Sequence, residues 1–85
     1  MSAEPLRLYY REGCHLCEEL AALLYRGWPQ LLDELEWVDV DRSAELASCY
    51  GLRVPVLTRG DRTICELQAD AGALRAVFGE PANPV

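Results

Sequence analysis

The hydrophobic period of this chain changes at residue 14, and a pair of cysteines sits on the change. Leu6-Arg7-Leu8-Tyr9-Tyr10 is a short apolar and aromatic run closed by Arg11-Glu12-Gly13, the pattern of a first strand buried on both faces. From Cys14 onward the spacing is helical. Leu16, Leu20, Leu23 and Leu24 form one stripe, Glu18 and Glu19 lie off it, and Gly27 and Pro29 interrupt it. Leu31 to Leu35 is expected to prolong or restart this helix. Glu36-Trp37-Val38-Asp39-Val40-Asp41 then alternates polar and apolar residues as a second strand does. Strand, helix and strand in such a short span make a βαβ unit, which demands parallel strands and a right-handed crossover.

The second half changes character. Asp41 or Ser43 is placed to cap a helix carrying Ala44, Leu46, Ala47 and Tyr50 and stopping at Gly51. Val54-Pro55-Val56-Leu57-Thr58 and Arg62-Thr63-Ile64-Cys65-Glu66-Leu67 form the arms of a hairpin, with Arg59-Gly60-Asp61 as its turn. Asp70 caps a last helix through Leu74, Val77 and Phe78, closed by Gly79 and Pro81. Residues 80–85 are expected to be a loose tail. The predicted order is β-α-β-α-β-β-α.

Composition narrows the function. With 51% hydrophobic and 26% charged residues, the 85-residue chain reads as one globular domain, 1–85, with a core over about 6–79. Fourteen Asp and Glu against eight Arg, and no Lys, leave a net charge of −6. A phosphate backbone or an anionic membrane repels that balance, so neither nucleic acid nor membrane is an expected partner. No apolar stretch approaches the roughly 20 residues of a membrane span. Met1-Ser2-Ala3-Glu4-Pro5 lacks the features of a signal peptide, and a cytoplasmic monomer is the expectation.

Cys14-His15-Leu16-Cys17 falls where the strand ends and the helix begins. There the first turn offers unsatisfied N–H groups and the positive end of the helix dipole, and both favour a thiolate. A thiol in such a setting can titrate at roughly 3.5–7.5 rather than near 8.5. Cys14 is therefore the candidate nucleophile and Cys17 the candidate resolving thiol of a disulfide exchange. His15, if protonated, tunes the thiol pKa in the same direction, whereas Glu12, Glu18 and Glu19 oppose it. The spacing alone also admits two buried apolar side chains or half of a zinc site.

With these residues in hand, the chain resembles the glutaredoxin-like branch of the thioredoxin-fold superfamily, especially its short, largely uncharacterised members. The likeness rests on Tyr9-Tyr10-Arg11-Glu12-Gly13-Cys14-His15-Leu16-Cys17, on Tyr50-Gly51-Leu52-Arg53-Val54-Pro55-Val56-Leu57, and on Asp70 opening the last helix. It implies an α/β sandwich: a four-stranded mixed sheet in the order 2-1-3-4 with helices on both faces. It implies a cis Pro55 against the cysteines, with Val54 offering its backbone to the substrate. It implies a thiol–disulfide oxidoreductase with no bound cofactor or metal, acting on disulfide-containing proteins or on glutathione as co-substrate. Arg11 then corresponds to the basic residue that meets a glutathione carboxylate, and Asp70 to the acidic residue that meets its amino group. Three departures bear on that transfer: Glu66-Leu67 replaces a glycine pair, Arg53 replaces a threonine, and His15-Leu16 replaces Pro-Tyr. The competing roles of Arg11 and Asp70 are a solvated charge and a helix cap.

A reading from a different class keeps the fold but not the catalysis, as an accessory module that docks a partner or holds a metal through the cysteine face. Cys49 and Cys65 are expected as core filler, with Cys65 close enough to the Val54-Pro55 strand to act as a third thiol. A four-thiolate zinc site would need both to converge on Cys14 and Cys17. Trp28 and Trp37 are expected at the boundary between helix and sheet, Trp28 alternatively as an exposed anchor.

Overall fold

The computed structural model describes residues 4–85. The first apolar run is strand β1 (Leu6–Tyr10), and it occupies the middle of a four-stranded sheet. It pairs parallel with β2 (Leu35–Asp39) and antiparallel with β3 (Val56–Arg59), and β3 pairs antiparallel with β4 (Arg62–Glu66). The order is β2-β1-β3-β4, as the family resemblance implies. Registers Tyr10↔Asp39, Tyr9↔Val56 and Val56↔Glu66 bring the ends of β1, β2 and β4 and the start of β3 to one end of the sheet. Every segment that carries a candidate site residue leaves or enters the sheet at that end.

Two faces of the sheet carry two cores. Helices α1 (His15–Gly27) and α3 (Ala71–Phe78) cover one face, where Leu20, Leu24 and Leu74 pack on Leu6, Leu8, Leu57 and Ile64. Helix α2 (Ala44–Tyr50) covers the other, where Leu46 and Tyr50 pack on Tyr9, Val38, Val40 and Val56. The alternation Leu6/Leu8 against Tyr9 in β1 feeds both, which is why a central strand reads as a continuous apolar run.

The helix starts follow their caps. The Ser43 hydroxyl accepts the Leu46 N–H at 3.0 Å, so Ser43 rather than Asp41 caps α2. Asp70 caps α3 through the Ala73 N–H, also at 3.0 Å. Each such cap satisfies one of the N–H groups that a helix start leaves unbonded.

Several sequence expectations are corrected. The buried stripe of α1 is Cys17, Leu20, Leu24 and Gly27, and this phase leaves Leu16 exposed. Leu31 and Leu32 lie in a 3-10 turn, Pro29–Asp33, because Pro29 has no N–H to continue α1. Strand β2 stops at Asp39 rather than Asp41: the Asp39 carboxylate accepts the Asp41 N–H at 2.9 Å and turns the chain into a 3-10 turn, Val40–Arg42. Arg59 pairs with Arg62, so Gly60 and Asp61 alone make the hairpin turn, and β3 begins at Val56 rather than Val54.

The tail is also docked rather than loose. Ala82 N–H and the Asn83 amide donate to the Gly27 and Arg26 carbonyls at 2.6 and 2.9 Å, and Arg26 Nε donates to the Pro84 carbonyl at 2.7 Å. These bonds occupy carbonyls that the end of α1 would otherwise leave to water. A Cβ at Gly27 would stand 3.0 Å from Pro81 and 3.1 Å from Val85, so the tail packs closely on the glycine and would have to give by a few tenths of an ångström to admit a side chain there.

Trp28 is fully buried between the end of α1 and the end of α3, and its indole N–H donates to the Gly79 carbonyl at 3.1 Å. The exposed-anchor alternative for Trp28 is thereby excluded; Trp37, on the edge strand, is the exposed tryptophan.

Candidate functional site

The connection from β1 to α1 is a tight turn. The Cys14 N–H donates to the Arg11 carbonyl at 3.2 Å, and Gly13 takes φ +76°, a conformation that favours glycine. This turn sets Cys14 at the N-cap of α1, in extended geometry, with its sulfur facing the helix start. Sγ accepts the Cys17 N–H at 3.2 Å, and the Cys14 carbonyl accepts the Glu18 N–H at 3.1 Å. Cys14 and Cys17 are joined as a disulfide, with Cα atoms 5.2 Å apart. The two sulfurs are not equivalent: Cys14 is half-buried, while Cys17 is 5% exposed beneath it. Cys14 is thus the more exposed member of the pair.

His15 projects outward, its side chain 84% exposed, with Nε2 3.1 Å from Glu19 one helical turn on. Any charge it carries is shared with that carboxylate and with water. The helix N-terminus is the closer source of positive potential for the Cys14 sulfur.

At the same sheet end, the Val54–Pro55 peptide bond is cis. The Leu67 N–H donates both to the Arg53 carbonyl, at 3.2 Å, and to the Pro55 carbonyl, at 3.0 Å. Val54 lies between those two bonded carbonyls, and among the described residues its own N–H and C=O have no backbone partner. Unpaired, half-buried backbone of this kind is ready for a ligand.

The departures from the family pattern at 53 and 66 pair with each other. Arg53 grips Glu66 through Nε and Nη2 at 3.1 and 3.2 Å, and its guanidinium lies 5.4 Å from the Tyr50 ring centre. Tyr50 in turn stacks on Tyr9 at 3.9 Å. Arg53 holds the Glu66 carboxyl below the usual carboxylate range. Leu67 takes φ +67°, a backbone region that costs a non-glycine residue roughly 1–2 kcal/mol, and its side chain is 52% exposed. The second position of the glycine pair in the resemblance thus carries, in this chain, a leucine in a left-handed backbone.

Arg11 makes a two-point contact with Asp41, Nε–Oδ2 2.9 Å and Nη2–Oδ1 3.0 Å, and donates a third bond to the Gly51 carbonyl at 3.2 Å. It therefore ties the β1–α1 turn to the two ends of the α2 region. Asp70 is occupied as the α3 cap.

Cys49 is exposed on α2, which corrects its reading as core filler, and Cys65 is buried in the core under α1 and α3. They lie on opposite faces of the sheet and do not converge on the Cys14–Cys17 pair. Among the described residues, no group of three or more His, Cys, Asp or Glu is arranged to hold a metal. Burial pushes the Cys65 thiol up to about 11, so it does not form a thiolate near neutral pH.

One feature of the site escaped the sequence reading. Beside Cys17, a groove of ≈ 480 Å³ runs between α1 and the β2 edge, lined by Tyr10, Ala21 and Trp37 and bordered by Glu12 and Glu18. Tyr10 and Trp37 meet edge to face at 6.2 Å. An aromatic residue two positions from Leu35 on the same side of an edge strand was the available signal.

A cysteine pair at a helix start, on a mixed sheet of this order with a cis proline at the same end, defines a thioredoxin-like protein. The sequence profile of the glutaredoxin-like domain (DUF836) matches residues 5–79, and the chain belongs to that family. Among solved structures it is similar to protein XcR50 from X. campestris, at 39% identity and a TM-score of 0.69 over 85% of this chain and 92% of that one. It is also similar to protein Ne2328 from Nitrosomonas europaea, at 35% identity and a TM-score of 0.64 over 91% and 93% of the two chains. No curated protein matches it significantly. No helix among the described residues is long and apolar enough to cross a membrane.

Proposed function

We propose that this protein is a dithiol thiol–disulfide oxidoreductase. The observation that carries the reading is the asymmetric pair: a half-buried Cys14 whose sulfur accepts the Cys17 N–H at 3.2 Å at the start of α1, over a buried Cys17. The Cys14 thiolate attacks one sulfur of a substrate disulfide. A mixed disulfide forms, and the first substrate sulfur leaves as a thiolate that takes up a proton. Cys17 then loses its proton and attacks the Cys14 sulfur, closing the Cys14–Cys17 bond and releasing the second substrate thiol. Two electrons pass from the dithiol to the substrate, and two molecules of glutathione or a dithiol reductase restore them.

The helix N-terminus supplies most of the thiolate stabilisation and His15 a smaller, screened share. Val54 binds the substrate backbone through its unpaired N–H and C=O, beside Pro55. Arg11 and Asp70 are assigned to the charged ends of a peptide-like substrate such as glutathione, and both already have partners within the chain, which weakens that grip. An exposed free thiol at Cys49 fits a reducing compartment, and we assign the protein to the cytoplasm.

Alkylation of the reduced protein across pH tests the thiolate assignment. Cys14 is expected to react first, with a midpoint below the ordinary thiol value of about 8.5. Cys65 reacts only on unfolding or toward about pH 11. The neutral Cys65 thiol is favoured in the folded state, so its contribution to stability is complete below its ordinary pKa and is lost as pH rises through about 11. A Cys14 midpoint no lower than the ordinary thiol value of about 8.5 contradicts the assignment.

A further inference from the structure

The groove beside Cys17 has a chemistry that the exchange mechanism does not use. Its walls are the aromatic rings of Tyr10 and Trp37, and Trp37 is 48% exposed although it is among the largest apolar side chains of the protein. Glu12 and Glu18 border it, and among the described residues neither takes part in an ion pair. The cation in the lining, Arg11, is neutralised by its two-point contact with Asp41. Aromatic faces next to unpaired carboxylates attract a cation and repel an anion.

We propose that this groove receives an arginine or lysine side chain of a polypeptide disulfide substrate, so that the protein selects disulfides flanked by basic residues. The inference rests on the thiol–disulfide reading, because Cys17 forms part of the groove and fixes how near the bound side chain lies to the reacting bond. A second copy of this chain is a poor occupant, since two molecules of net charge −6 repel each other. Glutathione, with two carboxylates to one ammonium, is likewise disfavoured next to Glu12 and Glu18.

Binding is read first, without redox chemistry. The oxidised protein is titrated with an S-methylated pentapeptide carrying arginine on both sides of its cysteine, and Trp37 emission is followed over the constant signal of buried Trp28. The expected result is a saturable change that weakens with salt, is absent for the glutamate counterpart, and weakens when Glu12 and Glu18 are both replaced by glutamine. Exchange is read next with three disulfides: the neutral 2-hydroxyethyl disulfide, the arginine peptide dimer and the glutamate peptide dimer. The arginine dimer is expected to react about tenfold or more faster than the glutamate dimer at low ionic strength. Glu12→Gln with Glu18→Gln should shrink that ratio about threefold to thirtyfold. Equal rates for the two peptides, or a ratio unchanged in the double variant, overturn the inference while reduction of the neutral disulfide leaves the exchange reading intact. Failure on the neutral disulfide as well overturns both.

Discussion

Replacing Cys14 by serine is expected to bring disulfide exchange down to the uncatalysed rate, whereas replacing Cys17 by serine is expected to trap a stable mixed disulfide on Cys14. The two outcomes differ because the sulfurs differ in position. Cys14 is the sulfur an incoming disulfide can reach, and it accepts an N–H from the first turn of α1. Serine there leaves a hydroxyl far too weakly acidic to attack. Cys17 is buried below it and can act only on an adduct already formed at Cys14. With serine at 17, that adduct has no resolving thiol, and intact mass should show one substrate thiol bound per chain, released by added reductant. Turnover retained in Cys14→Ser, or an adduct on Cys49 instead, contradicts the mechanism.

The largest effect on stability is expected at Trp28. Its side chain is fully buried, and its N–H holds the Gly79 carbonyl, so it joins the end of α1 to the end of α3. Trp28→Ala removes that contact area, leaves a cavity and strands a carbonyl; such substitutions cost about 3–5 kcal/mol. A domain with about 5–15 kcal/mol to lose retains little. Trp28→Phe keeps much of the packing and loses the hydrogen bond, so it should cost distinctly less. Urea unfolding of the three proteins measures both differences. A Trp28→Ala midpoint within error of the parent shows that the junction contributes little.

The fold was legible in the sequence wherever periodicity alone decides burial. Leu20 and Leu24 follow the helical stripe, the Leu6-to-Tyr10 run marks the central strand, and Ser43 and Asp70 announce the helices they cap. Legibility ended where a side chain competes with the expected hydrogen bond or where distant segments meet. Asp39 captured the Asp41 N–H and cut β2 short. Asn83 and Ala82 found carbonyls at the end of α1, more than fifty residues away in sequence. A short amphipathic helix gave no sign that Cys49 would lie outside its buried side.

The site shows the same division. Cys14 and Cys17 could be placed at the helix start from spacing, but the burial difference between them could not. Arg53 and Glu66–Leu67 looked like separate departures from the family pattern. Only the Val56↔Glu66 register shows that Arg53 and Glu66 form one ion pair beside Val54. The groove at Trp37 needed the β1–β2 register, which sets Trp37 opposite Leu8 and near Tyr10.

The proposed exchange requires that Cys14 and Cys17 form a reversible two-electron couple. Peptide-resolved mass spectrometry of the metal-free protein across a glutathione redox titration tests it most directly. One transition is expected at a definite potential, in which the Cys14–Cys17 bond closes and reopens. Any glutathione adduct should map to Cys14, and Cys65 should stay reduced. A pair that remains open at every ratio, or glutathione distributed over all four cysteines, contradicts it.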